Sequence, residues 1–148
     1  MSKPKGTALI TGGAKRIGAA IARALAEDGY DIALHYLTSP EPAERTAAVV
    51  RKLGRKCRLY RYDLNNHAEV SALIPKVREH TPDLNLLVNN ASIFEPGNLQ
   101  GTSREMFEHH FNINFKAPFF LTQEFSGGCA QGQVINLLDS RVGRSDPE

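Results

Sequence analysis

Cysteine is scarce in this chain: Cys57 and Cys129 are the two among 148 residues. Neither sits in a spaced cluster of the kind that holds a metal, so no metal site is expected, and so few thiols exclude a disulfide framework. Two free thiols in a reducing compartment are the expectation. Long apolar runs are lacking as well, since none approaches the roughly 18 residues of a membrane span. Met1-Ser2-Lys3-Pro4-Lys5 leads straight into a short apolar segment, without room for a secretory leader. A cytoplasmic protein with no membrane partner is expected. Charge of one sign does not dominate either. The 18 Lys and Arg face 16 Asp and Glu, a formal net charge of +2, too mild to argue for nucleic acid. Internal repeats and low-complexity tracts are absent from the sequence.

What remains is an ordinary globular composition, 41% hydrophobic and 23% charged, in a length that fits one domain, residues 1–148, and excludes a separate substrate domain. Short β-like runs alternate with helical ones. Thr7 to Ile10 reads as a buried strand, and Ile17 to Asp28 as a helix with Gly29 behind it. Asp31 to His35 is a second strand; Ser39 and Pro40 open a helix as N-cap and first residue, and it runs to Leu53 before Gly54. Cys57 to Tyr62 is a third strand. Asn66 with Glu69 resembles a capping box for a helix ending near His80. Leu84 to Val88 is a fourth strand. Thr102 with Glu105 forms a similar pattern before a long helix to about Phe125, in which Pro118 predicts a kink. Gln133 to Leu138 is a fifth strand. Apolar strands alternating with helices predict an α/β fold, a doubly wound parallel sheet of order 3-2-1-4-5. Ligands of such sheets bind beyond the carboxyl ends of the strands.

The turn after the first strand is Thr11-Gly12-Gly13-Ala14-Lys15-Arg16-Ile17-Gly18. Glycines let backbone approach a pyrophosphate, and the following helix N-terminus offers N–H groups and a positive dipole end. Taken alone, this could be a mere tight turn.

This turn resembles that of the short-chain dehydrogenases/reductases, with Arg16 standing where the family's middle glycine sits. Thr-Gly-x-Ala-Lys-Arg-Ile-Gly is similar to the pteridine reductase branch, in which the arginine faces cofactor phosphate and substrate together. Three further motifs agree: Asp63-Leu64 after the third strand, Asn89-Asn90-Ala91-Ser92 after the fourth with Ser92 replacing a glycine, and Asn114 in mid-helix. The resemblance covers the whole chain. It implies a Rossmann fold in which Gly12, Lys15, Arg16, Ile17, Gly18, Asp63, Leu64, Asn90, Ala91 and Ser92 bind a dinucleotide, with Asp63 contacting adenine. Plainer uses exist for some of these: a cap for Asp63, turn closure for Asn90, a satisfied helix polar group for Asn114.

NAD-specific members carry an acid at the end of the second strand. Here His35-Tyr36-Leu37-Thr38-Ser39 holds none. Thr38, Ser39 and nearby N–H groups can donate to a 2′-phosphate and Lys15 can add charge, so NADP(H) is the expected cofactor. His35 and Tyr36 also match the pteridine reductase pattern, with strand-end packing as their simpler use.

At the reacting centre most members have a serine where this chain has Asp139; Ser140 is one residue late. The resemblance gives Asp139 the delivery of a proton to a pterin nitrogen, Asn114 the holding of a relay water, and Phe94 the stacking on a flat substrate, with Arg16 beside it. An exposed loop carboxylate and a core or lid aromatic are the simpler uses of Asp139 and Phe94. Ile93 departs from the branch, which has a polar residue there. The family's Tyr-x-x-x-Lys is expected about 13 residues beyond Asp139, past Glu148. Tyr30, Tyr36, Tyr60 and Tyr62 lie in or beside early strands and do not substitute for it. The expectation is therefore the cofactor-binding part of an NADPH-dependent reductase of pteridines or dihydrofolate, inactive by itself, lacking the C-terminal strands and helices of the full fold, and belonging to a protein that forms a homotetramer. A carbonyl or 3-oxoacyl reductase and a non-catalytic NADP(H)-binding module are the alternatives.

Overall fold

Four residues, Thr7–Ile10, form β1, and all four are buried. A strand buried on both faces needs a neighbour on each edge and a cover on each side, and the rest of the chain supplies them. The elements follow as α1 (Arg16–Glu27), β2 (Asp31–Tyr36), α2 (Pro40–Lys52), β3 (Cys57–Arg61), α3 (His67–His80), β4 (Leu84–Asn89), α4 (Arg104–Phe111), a π-helical turn (Asn112–Lys116), α5 (Ala117–Gly127) and β5 (Gln133–Asn136). The computed structural model describes residues 3–129 and 131–139; Ser140 falls outside them. The strands are all parallel and lie in the order β3-β2-β1-β4-β5, as the alternation predicts.

Side chains alternate across the sheet with the period of two that a strand imposes. Leu9, Ala33 and Leu87 point to one face, where Val70, Leu73, Ile74 and Val77 of α3 and Leu121 and Phe125 of α5 cover them. Ala8, Ile10, Ile32, Leu34, Leu86 and Val88 point to the other, under Ala22 and Ala26 of α1 and Ala43, Ala47 and Val50 of α2. Leu84 falls on the first face because Asn85 is an extra residue in the β1–β4 ladder, where the register shifts. Each fully buried Leu or Ile contributes about 2 kcal/mol. Gly18, Ala22 and Ala26, spaced by four, are the buried stripe of α1, and such small residues bring that helix close to the sheet.

Some boundaries differ from those read in the sequence. Ser103, not Thr102, caps α4: its hydroxyl accepts the Met106 N–H, while the Thr102 hydroxyl donates to the Asn98 carbonyl. Asn66 does cap α3, accepting from Ala68 and Glu69 N–H groups, but Glu69 reaches past it to the Asp63 N–H at 2.5 Å. Ser39 occupies the N-cap of α2 without a side-chain cap bond. Strand β5 stops at Asn136, although the Leu137 N–H still bonds the Asn89 carbonyl. Most consequential, the long helix is not one uninterrupted α-helix. Pro118 has no N–H for the preceding turn, and the chain absorbs the mismatch as a π turn over Asn112–Lys116. That turn carries Asn114.

Among the described residues no helix is long and apolar enough to cross a membrane. Cys57 and Cys129 are both free thiols, and burial pushes the Cys57 thiol up to about 12.

Removing the α3 cap should be felt globally, because α3 covers one face of the sheet. Asn66→Ala is expected to cost about 1 kcal/mol, read as a lower urea midpoint with an unchanged slope.

Candidate functional site

Parallel strands place the segments that follow β1, β2, β3, β4 and β5 along one edge of the sheet. Every candidate residue before Asn114 on the chain lies in or beside one of the first four of these segments, and Asp139 follows the fifth.

The turn after β1 and the exit of β4 are locked together. Thr11 Oγ1 donates to the Val88 carbonyl at 3.3 Å and accepts the N–H groups of Asn90 and Ala91, each at 3.0 Å. Asn90 Nδ2 donates back to the Thr11 and Gly12 carbonyls at 2.9 and 3.1 Å. Asn90 therefore closes the turn. Gly12 has φ +64°, and a Cβ on it would lie 3.0 Å from Ala91 Cα; one on Gly18 would lie 2.3 Å from the Gly12 carbonyl oxygen. Ala91 is half-buried and Ser92 exposed. Thr11 was legible only as the first residue of the motif; its three bonds make it the hub.

His35 lies beneath this turn. Its ring is buried, 3% exposed, with Nδ1 accepting the Gly12 N–H at 3.1 Å and Nε2 donating to the Tyr62 carbonyl at 2.9 Å; these partners assign the tautomer. Burial is the main cause holding its pKa below 6.5, against the Tyr62 carbonyl bond and the Asp63 charge, which favour the proton.

The outer side of the turn is cationic. Lys15 and Arg16 are exposed and make no ion pair among the described residues. Lys15 is the N-cap of α1 without a side-chain cap bond, and no acid lies in the first turn. The helix N-terminus thus presents its dipole to an anion. Arg16 holds φ +54°, the one positive value at a non-glycine among the described residues. It adopts a left-handed backbone, which favours glycine, while carrying a guanidinium. Ile17 beside it is exposed.

After β2, Tyr36 is half-buried with its carbonyl accepting the Tyr62 N–H, Thr38 is exposed and Ser39 half-buried. Here the structure adds a residue that the sequence did not single out. Arg61, the last of β3, donates from Nε to the Leu37 carbonyl at 3.1 Å, which sets a guanidinium against the carboxylate-free segment. Strand pairing puts it there, across from Tyr36. Asp63 Oδ1 accepts the Asn65 N–H at 2.8 Å in the turn leading to α3. The Leu64 side chain belongs to the core beside Val70 and Leu73, so only its backbone can serve the edge.

The loop after β4 is pinned from the helix side. Asn114 accepts the Ile93 N–H and donates to the Ile93 carbonyl, both at 2.9 Å. His110 Nε2 accepts the Glu95 N–H at 3.0 Å, and its Nδ1 donates to the Met106 carbonyl at 2.9 Å. The Ile93 side chain packs on the core, which gives the departure at this position an anchoring use. Between the two pins Phe94 stands 78% exposed. Asp139 is exposed, three residues past the end of β5. Asn89, also unselected in the sequence, joins Asn136 Oδ1 and Thr122 Oγ1 at 2.8 and 3.3 Å.

Comparison with known proteins agrees with this arrangement. The family model described as short chain dehydrogenase matches residues 6–145. Galactitol 2-dehydrogenase of Agrobacterium fabrum is 30% identical over 141 residues, covering 93% of this chain and 53% of that protein. The FolM alternative dihydrofolate reductase 1 of Brucella canis, complexed with NADP, superposes with a TM-score of 0.87 at 30% identity, over 93% of this chain and 56% of that one. A blue fluorescent protein from a metagenomic library, in complex with NADPH, has a TM-score of 0.87 at 33% identity, over 96% and 60%. The chain spans about half the length of the relatives it matches.

Two predictions come from the turn. Arg16→Gly relieves a left-handed side chain but frees the unfolded backbone, so unfolding free energy is expected to rise by up to about 1 kcal/mol in urea, while affinity for inorganic pyrophosphate falls. His35 has a lowered folded pKa, so the unfolded chain binds its proton more readily. Its contribution to stability is present in full above pH 6.5 and lost as pH falls below it. Urea midpoints should therefore drop on acidification through that window, and less so in His35→Asn.

Proposed function

The chain belongs to the short-chain dehydrogenase family, and on that premise we propose that it binds NADP(H) and serves reduction of a pteridine or dihydrofolate-type substrate. The observation that carries the cofactor assignment is the exit of β2. No carboxylate stands between His35 and Ser39, Arg61 lies against Leu37, and Lys15 lies exposed in the neighbouring turn. A 2′-phosphate would meet two cations and the Thr38 and Ser39 hydroxyls; an acid there would repel it. Gly12 and Gly18 leave room that a Cβ would fill, and the uncapped N-terminus of α1 fits a pyrophosphate. NADP in the Brucella canis protein and NADPH in the metagenomic one support the same reading.

For the substrate, support comes from Arg16, Ser92, Phe94 and Asp139 together and from the name of the Brucella canis relative. Phe94 is held outward by Asn114 and His110 with its ring open to solvent, a posture suited to stacking on a flat heterocycle. NADPH, when bound, supplies a hydride. In this reading Asp139 delivers a proton to a ring nitrogen, directly or through a water held by Asn114. A carbonyl substrate is the rival, favoured by the likeness to galactitol 2-dehydrogenase. The assembly that goes with this reading is a homotetramer. Phe107, Phe111, Phe115 and Phe119, exposed at a spacing of four along α4, the π turn and α5, support self-association through that face.

Titration calorimetry tests the cofactor assignment. NADP+ is expected to bind about ten- to a hundredfold tighter than NAD+, the value of charge-assisted hydrogen bonds to one phosphate, and Arg61→Ala should narrow the gap. Equal affinities would overturn it. Dihydrobiopterin or dihydrofolate should then bind to the NADP+-loaded chain more tightly than an oxoacyl thioester, and the reverse order would favour the carbonyl reading.

A further inference from the structure

His35 joins two parts of the site that are distant in sequence. Its Nδ1 takes the Gly12 N–H, its own carbonyl takes the Gly13 N–H at 2.9 Å, and its Nε2–H reaches the Tyr62 carbonyl after β3. One residue of β2 thus holds two successive amides of the turn after β1. Amides drawn inward to the ring and strand cannot point at a phosphate. They leave that task to the later N–H groups of the turn and the N-terminus of α1.

We propose that His35 is a positioning residue for the dinucleotide: its unprotonated Nδ1 sets the shape of the turn, and its Nε2–H ties that shape to the exit of β3. This rests on the NADP(H) reading and adds to it a link between the pyrophosphate turn and the segment where Asp63 stands. The link works in one protonation state. A second proton would set two donors, Nδ1–H and the Gly12 N–H, against each other, and the Gly12 amide would have to turn away.

The charged and titratable groups around the ring are few. β1 offers none in Thr7–Ile10. The turn offers Lys15 and Arg16, both exposed; β2 itself offers Asp31, bonded to the Lys56 N–H at the far end, and Tyr36. β3 and its exit offer Tyr60, paired with His35 in the strand register and with its pKa pushed up by burial, Cys57 and Arg58 further back along the strand, Arg61, held on Leu37, and then Tyr62 and Asp63, while Glu69 of α3 stands behind on the Asp63 N–H. Of these, Asp63 acts on the ring in favour of the proton, and burial outweighs it. The neutral ring is therefore the working state near neutral pH.

The test compares three proteins in NADP+ calorimetry between about pH 7.5 and about pH 5.5, a range spanning the ordinary histidine pKa. His35→Asn keeps an acceptor near the Nδ1 position and does not titrate; His35→Leu has no acceptor. The 2′-phosphate titrates in the same range for all three, so differences between proteins are the readout. The wild type should lose about fivefold more affinity on acidification than the Asn variant, the value of one hydrogen bond. The Leu variant should bind about fivefold more weakly than the Asn variant at the upper pH. Parallel pH profiles for wild type and Asn variant, with binding intact, would overturn the proposal alone. No NADP+ binding by the wild type at any pH would overturn the cofactor reading and the proposal with it. If a variant does not fold, ring-nitrogen NMR of the wild type decides. The Nε2–H tautomer and a Gly12 amide that shifts both with ring titration and with NADP+ are expected; the opposite tautomer or an indifferent Gly12 amide would overturn the proposal.

Discussion

At the switch between β1 and β4 two chain segments approach until a Cβ on Gly12 would lie 3.0 Å from Ala91 Cα. Thr11 and Asn90 hold them there with hydrogen bonds running in both directions. The approach is a condition for much that surrounds it. It fixes where α1 begins and keeps the Gly12 N–H over His35. It also sends the chain after β4 toward the π turn, where Asn114 receives it. A side chain at Gly12 or Gly18 would push apart backbone rather than a flexible tip, so this constraint cannot be relaxed locally.

Polar side chains along the edge share one physical habit. Asn90, Asn114, His35 and His110 each satisfy backbone groups of a segment outside regular structure, and Asn66 satisfies those of the first turn of α3. Loop backbone near a core needs such partners, because an unpaired amide there costs desolvation without return. Residues that look like ligand contacts in a motif can therefore be the scaffold that aims the contacts. For Asn114 the π turn matters as much as the residue. Pro118 breaks the regular ladder, and the turn it accompanies carries the amide that grips Ile93.

The electrostatic character of the edge is local. The chain as a whole carries +2, which says nothing about anions. Lys15, Arg16 and Arg61 lie near an uncapped helix N-terminus and a strand exit without carboxylates. Opposite charges elsewhere are spent in exposed pairs such as Lys5–Asp28 and Arg23–Glu27, which contribute little. Distribution, not sum, makes the edge attractive to a phosphate.

The sequence by itself determined the alternation of strands and helices, the parallel sheet, its order and the edge on which the motifs fall. Period, glycine placement and strand polarity are local properties, and right-handed crossovers convert them into topology. It also located the glycine turn, the β2 exit and the Asn-Asn-Ala-Ser segment, because their residue types recur at fixed distances from strand ends. Only the tertiary structure decided what those residues touch. The pairing of Arg61 with Leu37 follows from strand register, the burial of His35 under Gly12 from the packing of β2 beside β1, and the exchange of Thr102 for Ser103 as cap from the Thr102 hydroxyl's bond back to the Asn98 carbonyl. The bonds of His35 to Gly12, Arg61 to Leu37 and Thr11 to Ala91 span 23, 24 and 80 residues of chain. No local pattern encodes them, since they arise where distant segments meet and each must satisfy the other's backbone.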